Sequence, residues 1–361
     1  MQLRTAITIS TLAAAPLFAG DPPRLPRDNL LLYRAANGVS APVKSKDDWL
    51  RRREEIVRGV ASIMGKLPGN DKKCPLDAMV FDEVDCGTFV RRSLSYSSEP
   101  DSRVPAYLLL PKAPGRAPGV LCLHPTDDAV GHGVLIGRGN GRYPAYANEL
   151  AERGFVVLAP NYPLLAQYQP DLKALGWESG TLKAVWDNIR GIDLLESLPN
   201  VKPGGVAAIG HSLGGHNAVF TAVHDERIQI VVSCCGLDSF LDYSGGDPAV
   251  WQPGKGWTQT RYMPKLAEYR GRLAEIPFDF SELVGALAPR HVLLFAPKND
   301  DNFRAASVDH IVTAARPVFE LYGHADRLRL EHPEGGHDFL GASRKQAYDL
   351  IASALHSPSA K

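Results

Sequence analysis

Gly210-His211-Ser212-Leu213-Gly214 is the run whose residue types and spacing can do covalent chemistry. A serine with glycines two before and two after fits a sharp strand-to-helix elbow, because side chains at the glycine positions would collide in so tight a turn. The flanking pattern supplies both arms. Val206-Ala207-Ala208-Ile209 is a short apolar run suited to a buried strand, and Gly214 to His224 has helical spacing. In such an elbow the Ser212 hydroxyl stands at the carboxyl edge of a sheet as a nucleophile. The Leu213 amide then points toward it and can hold an oxyanion.

A serine nucleophile needs a base, and the base needs an orienting carboxylate. Gly335-Gly336-His337-Asp338-Phe339 follows the last expected strand, Leu328 to Glu331, so His337 is the expected base. His211 and His216 flank the serine, but the elbow aims them elsewhere. The acid is expected after the strand Val292 to Ala296, where Asp300 and Asp301 are adjacent. Asp300 is preferred because Phe303 can then re-enter the core after the turn; Asp301 is the alternative. The second oxyanion donor should come from His124-Pro125-Thr126-Asp127-Asp128, after the strand Val120 to Leu123. Pro125 has no N–H, which leaves the Thr126 amide. His124 either braces this loop or lines the substrate pocket.

These groups need a scaffold that brings four loops to one edge. From Gly119 onward strands and helices alternate, the pattern of a doubly wound, mostly parallel α/β sheet with helices on both faces. Residues 21–100 read as a helix from Trp49 to Met64, opened by Asp47 or Asp48, and an antiparallel lead-in that continues past residue 100. Residues 101–361 read as the catalytic domain. A cap-like insertion over residues 237–287, after the sixth strand, carries eight aromatic residues from Phe240 to Phe280. Trp251 and Trp257 within it are candidates for the pocket wall; the other reading of the insertion is a packed aromatic excursion.

Composition narrows the partners. The chain has 361 residues, with 40 Lys+Arg against 40 Asp+Glu. With no basic surplus to neutralise a phosphate backbone, nucleic acid is not an expected partner. Arg4 and the apolar or small-residue run Thr5 to Ala19 read as an export signal over residues 1–20, too short to span a bilayer. The expected location is therefore secreted or periplasmic, with no membrane span. Among five cysteines, Cys122, Cys234 and Cys235 lie in core-strand runs, while Cys74 and Cys86 could pair in an oxidising compartment. No C-x-x-C or H-E-x-x-H occurs, so no metal or other cofactor is expected. Nothing in the pattern assigns an oligomeric state.

From about Arg103 to His356 the chain resembles the α/β-hydrolase superfamily, and within it the dienelactone hydrolase-like and acetyl xylan esterase-like serine esterases. The carrying residues are Leu123-His124-Pro125-Thr126, Glu149 to Gly154, Phe155 to Pro160, the Ser212 elbow, Ala288-Pro289-Arg290, Asp300 and Gly336-His337-Asp338. The order Ser212, Asp300, His337 is the order of that class. Three departures stand out. Ser212 occupies the place of the namesake family's cysteine, the lipase-type H-G-G-G is absent, and no N-terminal β-propeller precedes the domain. The resemblance implies a serine carboxylic-ester hydrolase acting on small-molecule or carbohydrate esters, with short-acyl esters in view. A serine peptidase or acyltransferase could run the same triad. A non-catalytic binding protein on this fold would be expected to lack a triad member, and all three are present.

Overall fold

The computed structural model describes residues 24–356; the expected export signal lies outside the described residues. A small ribbon, β1 (Leu32–Arg34) with β2 (Ser40–Pro42), precedes helix α1 (Lys46–Met64). The helix opens earlier than either aspartate. Ser45 is the N-cap: its hydroxyl accepts from the Asp48 amide while the Asp48 carboxylate accepts from the Ser45 amide, both at 3.1 Å. Asp48 therefore closes a capping box. Trp49, Ile56, Val60 and Ile63 form the buried stripe of the helix.

The main sheet begins with an antiparallel trio, β3 (Met79–Asp85), β4 (Phe89–Glu99) and β5 (Ser102–Pro111). Six parallel strands follow: β6 (Ala117–Leu123), β7 (Val156–Pro160), β8 (Val201–His211), β9 (Ile228–Cys234), β10 (His291–Phe295) and β11 (Leu328–Glu331). In space the order is β11-β10-β9-β8-β6-β7-β5-β4-β3, so the lead-in is continuous with the parallel strands. β6 shows why its strand reads as an unbroken apolar run: both faces are covered. Val120 and Cys122 pack with α2 (Tyr146–Glu152) and α7 (Gly341–His356). Leu121 and Leu123 join the core built with α3 (Gly180–Ser197), α4 (Leu213–His224) and α6 (Ala305–Leu321).

Strand order reverses at β6, with β7 on one side and β8 on the other. Loops leaving β6 and β8 therefore diverge, and the crevice between them is where an open α/β sheet takes its ligand. The insertion, which follows the sixth strand counted from β4, is a chain of 3-10 turns ending in the short helix α5 (Phe280–Gly285). Phe240, Trp251, Phe278 and Phe280 bury themselves in the same core as α3 and α4. Cys74 and Cys86 are free thiols. Strand β3 stands extended between them, about 23 Å long at ~3.3 Å per residue, which keeps their side chains apart.

The imidazoles of His124, His132, His211 and His216 are buried and that of His224 is partly so; desolvation pushes their pKa values from 6.5 down to about 3 for His132, His211 and His216 and to about 4 for His124 and His224. Below about pH 6.5 the unfolded chain takes up protons that the folded chain refuses until about pH 4 or 3. Stability therefore rises with pH across that window and is lost on acidification. One pH unit below 6.5, each such group costs about 1.4 kcal/mol of stability. Burial raises Asp187, Asp238 and Glu282, which works in the opposite sense. With five groups against three, the melting temperature should drop by several degrees between pH 7.5 and pH 5. A flat scan across that range would contradict this account.

Candidate active site

β8 delivers Ser212 into a turn with φ 53° and ψ −120°. A non-glycine residue with positive φ costs about 1–3 kcal/mol and persists only where its surroundings impose it. Here they do. The Ser212 amide donates to the Cys234 carbonyl at 2.8 Å, and the Ser212 carbonyl accepts from His216 at 3.0 Å in the first turn of α4. The two glycines are steric requirements. A Cβ on Gly210 would lie 2.2 Å from the carbonyl carbon of Gly214, and one on Gly214 would lie 2.0 Å from the Leu123 carbonyl oxygen.

The loop after β11 carries His337 over this elbow. Its Nε2 lies 2.9 Å from Ser212 Oγ, and its Nδ1 lies 2.9 Å from each carboxylate oxygen of Asp300. The loops bearing Asp300 and His337 are laced together by backbone bonds from Asn299 to Gly335 (2.9 Å) and from Lys298 to Pro333 (3.1 Å). Asp300 also accepts from the amides of Asn302 (2.8 Å) and Phe303 (3.0 Å). Burial alone would raise its carboxyl. The His337 and amide hydrogen bonds outweigh that and hold it below the usual carboxylate range. Asp301 points to solvent, and Phe303 turns back into the core. Nδ1 of His337 faces a carboxylate, so it carries the proton, which leaves Nε2 free to accept from the serine.

A cleft of about 120 Å³ opens at Ser212. Thr126 and Leu213 line it from the main fold; Tyr243, Trp257, Gln259 and Tyr262 line it from the insertion, and Asn302 and Phe303 from the loop after β10. Neither the Leu213 nor the Thr126 amide has a protein acceptor among the described residues. A larger hollow of about 680 Å³ lies between residues 24–28 and α6, away from Ser212; two of its arginines, Arg24 and Arg27, are engaged by Glu282 and Asp279.

Two expected pocket residues are not in the cleft wall. Trp251 is fully buried, edge-on to Phe240 (5.9 Å) and Tyr243 (6.1 Å), because the turn that carries it folds inward. His124 is also buried and spends both ring nitrogens inside the fold: Nδ1 lies 2.7 Å from the Pro125 carbonyl, and Nε2 accepts from the Tyr162 amide at 2.9 Å. Trp257 does line the cleft, stacked between His216 (4.5 Å) and Phe303 (5.9 Å). Tyr243, Gln259, Tyr262 and Asn302 had no signal of their own in the sequence. The 3-10 turns that aim the first three carry no periodicity. Cys235 sits beside Asp300 and His337, with ligating atoms within 4.8 Å of one another. Its thiol is pushed well up by its contact with Cys234 and by burial.

The strand order, the elbow and the loops gathered at one sheet edge define an α/β-hydrolase. Residues 104–244 match the model of the dienelactone hydrolase family, and residues 175–323 match that of fungal glucuronyl esterases. The chain is 27% identical over 264 residues to the putative hydrolase YtaP of Bacillus subtilis, covering 70% of this chain and 84% of that one. It is 24% identical over 300 residues to 4-O-methyl-glucuronoyl methylesterase 1 of Wolfiporia cocos, covering 79% and 70%. In structure it is similar to a glucuronoyl esterase from Solibacter usitatus, with a TM-score of 0.72, 20% identity, and coverage of 93% of this chain and 100% of that one. The chain has the α/β-hydrolase fold of a carboxylic-ester hydrolase and is similar in sequence to the dienelactone hydrolase and glucuronyl esterase families. Among the described residues, no helix is long and apolar enough to cross a membrane.

Proposed function

We propose that the protein cleaves carbohydrate esters whose acyl part is a sugar acid, through Ser212, His337 and Asp300. The hydrogen-bonded line from Ser212 Oγ through His337 to Asp300 carries this reading. His337 takes the Ser212 proton as Oγ attacks the ester carbonyl, and Asp300 holds the imidazole in the Nδ1–H tautomer and stabilises its charged form. The Leu213 and Thr126 amides receive the oxyanion, each lowering the barrier by about 2.7–4 kcal/mol. The alcohol leaves with the proton from His337. Water deprotonated by the same imidazole then releases the acid.

The cleft wall supports the substrate class. No charged side chain lines it, which suits a neutral ester better than a free carboxylate. Aromatic rings offer flat faces to a sugar ring, and the hydroxyls of Thr126, Tyr243 and Tyr262 with the Asn302 amide offer hydrogen bonds. The similarity to glucuronoyl esterases points the same way. The short positive start and apolar run before Asp21 support export as part of this reading.

A substrate panel tests it. kcat/KM for the methyl ester of glucuronic acid should exceed that for methyl octanoate, which has the same leaving group, by at least about tenfold, the scale of one or two extra pocket contacts. Trp257→Ala should raise KM for the sugar ester far more than for p-nitrophenyl acetate. A preference for octanoate, or equal effects of Trp257→Ala on both esters, would count against the sugar-acid assignment.

A further inference from the structure

We propose that His124 is a positioning residue that aims the Thr126 N–H at the oxyanion. This deepens the esterase reading above and rests on it. The peptide between Pro125 and Thr126 is trans, so its carbonyl and its N–H point in opposite directions. His124 Nδ1, on a buried ring that is not part of the cleft wall, holds that carbonyl at 2.7 Å. With the oxygen held by that buried ring, the amide of the same peptide plane faces the other way, and Thr126 shares the cleft wall with Ser212 and Leu213.

The two partners of the ring settle its tautomer. Nε2 faces the Tyr162 N–H and must accept, whereas Nδ1 faces a carbonyl and must donate. Desolvation keeps the imidazole neutral down to about pH 4, so this arrangement persists through the working range. The Tyr162 amide belongs to the loop after β7, so the oxyanion loop after β6 is registered against its neighbour by the same ring. The rest of Thr126 is held separately. Its carbonyl accepts from the Tyr143 hydroxyl at 3.3 Å, and its hydroxyl lies 3.2 Å from that of Tyr262. Neither of those contacts sets the peptide plane that carries the Thr126 N–H, and the His124 bond does.

Two substitutions separate aiming from simple bracing. His124→Asn places an amide donor where Nδ1 sits, and His124→Gln places its amide where Nε2 sits. With p-nitrophenyl acetate, His124→Gln should lose about 10²–10³ in kcat, the scale of one oxyanion donor, with KM and melting temperature close to wild type. His124→Asn should recover most of that loss. The Ki of phenylboronic acid, whose serine adduct carries a tetrahedral oxygen, should rise in step with the fall in kcat. Unchanged kcat and Ki in His124→Gln, or an equal loss in His124→Asn, would overturn the proposal. Wild-type protein gives a check free of folding defects: the Thr126 amide proton should move downfield when phenylboronic acid binds. If Leu213 moves and Thr126 does not, the inference about His124 fails while the esterase reading stands. If Ser212→Ala still hydrolyses the ester, the reading itself fails.

Discussion

Asp300→Asn should lower kcat by about 10⁴, the loss found when the aspartate of a serine protease triad becomes asparagine, while Asp301→Asn should stay within about twofold of wild type. The asymmetry follows from what each carboxylate touches. Asp300 receives the His337 Nδ1 proton on both oxygens and is almost fully enclosed. An asparagine there keeps an oxygen for the Asn302 and Phe303 amides, so the loop should hold its shape. Its NH₂ face, however, can turn toward Nδ1 and force that nitrogen to accept. The ring proton then moves to Nε2, where it blocks uptake of the Ser212 proton. Asp301 faces solvent, one residue away. Steady-state kinetics on p-nitrophenyl acetate, with a thermal scan to show equal folding, gives the ranking. A larger loss in Asp301→Asn would move the role of acid to that residue.

The parallel sheet was legible because strands buried on both faces leave short apolar runs, and Val120 to Leu123 and Val206 to Ile209 are such runs. The elbow was legible for a different reason: Gly210 and Gly214 answer a local steric demand that any reader of the chain can state. His337 and Asp300 followed from their places after β11 and β10. Other features depend on which way a loop turns in space. Trp251 and Trp257 are six residues apart in one insertion, yet one is core and the other is cleft wall. Irregular 3-10 turns decide that, and they leave no period to count. His124 was visible as a residue beside the loop expected to carry an oxyanion donor. Its two hydrogen bonds were not, because one partner, Tyr162, is brought to it only by the pairing of β6 with β7. The cap of α1 misled in a simpler way: two aspartates at the start of a helix look like caps, but the serine before them supplies the better geometry.

Ser212→Ala should lower kcat by about 10⁶, the cost of removing the nucleophile in a comparable serine hydrolase. Alanine tolerates the elbow's backbone as well as serine does, and the packing around the residue is otherwise untouched. The residual rate should come from the oxyanion amides and substrate binding alone. The most direct measurement is intact-protein and peptide mass spectrometry after treatment with a fluorophosphonate. Wild type should gain a single adduct, on the peptide containing Ser212, in step with loss of ester hydrolysis, and Ser212→Ala should gain none. An adduct on another serine, or hydrolysis that survives in a folded Ser212→Ala protein, would contradict the account at its centre.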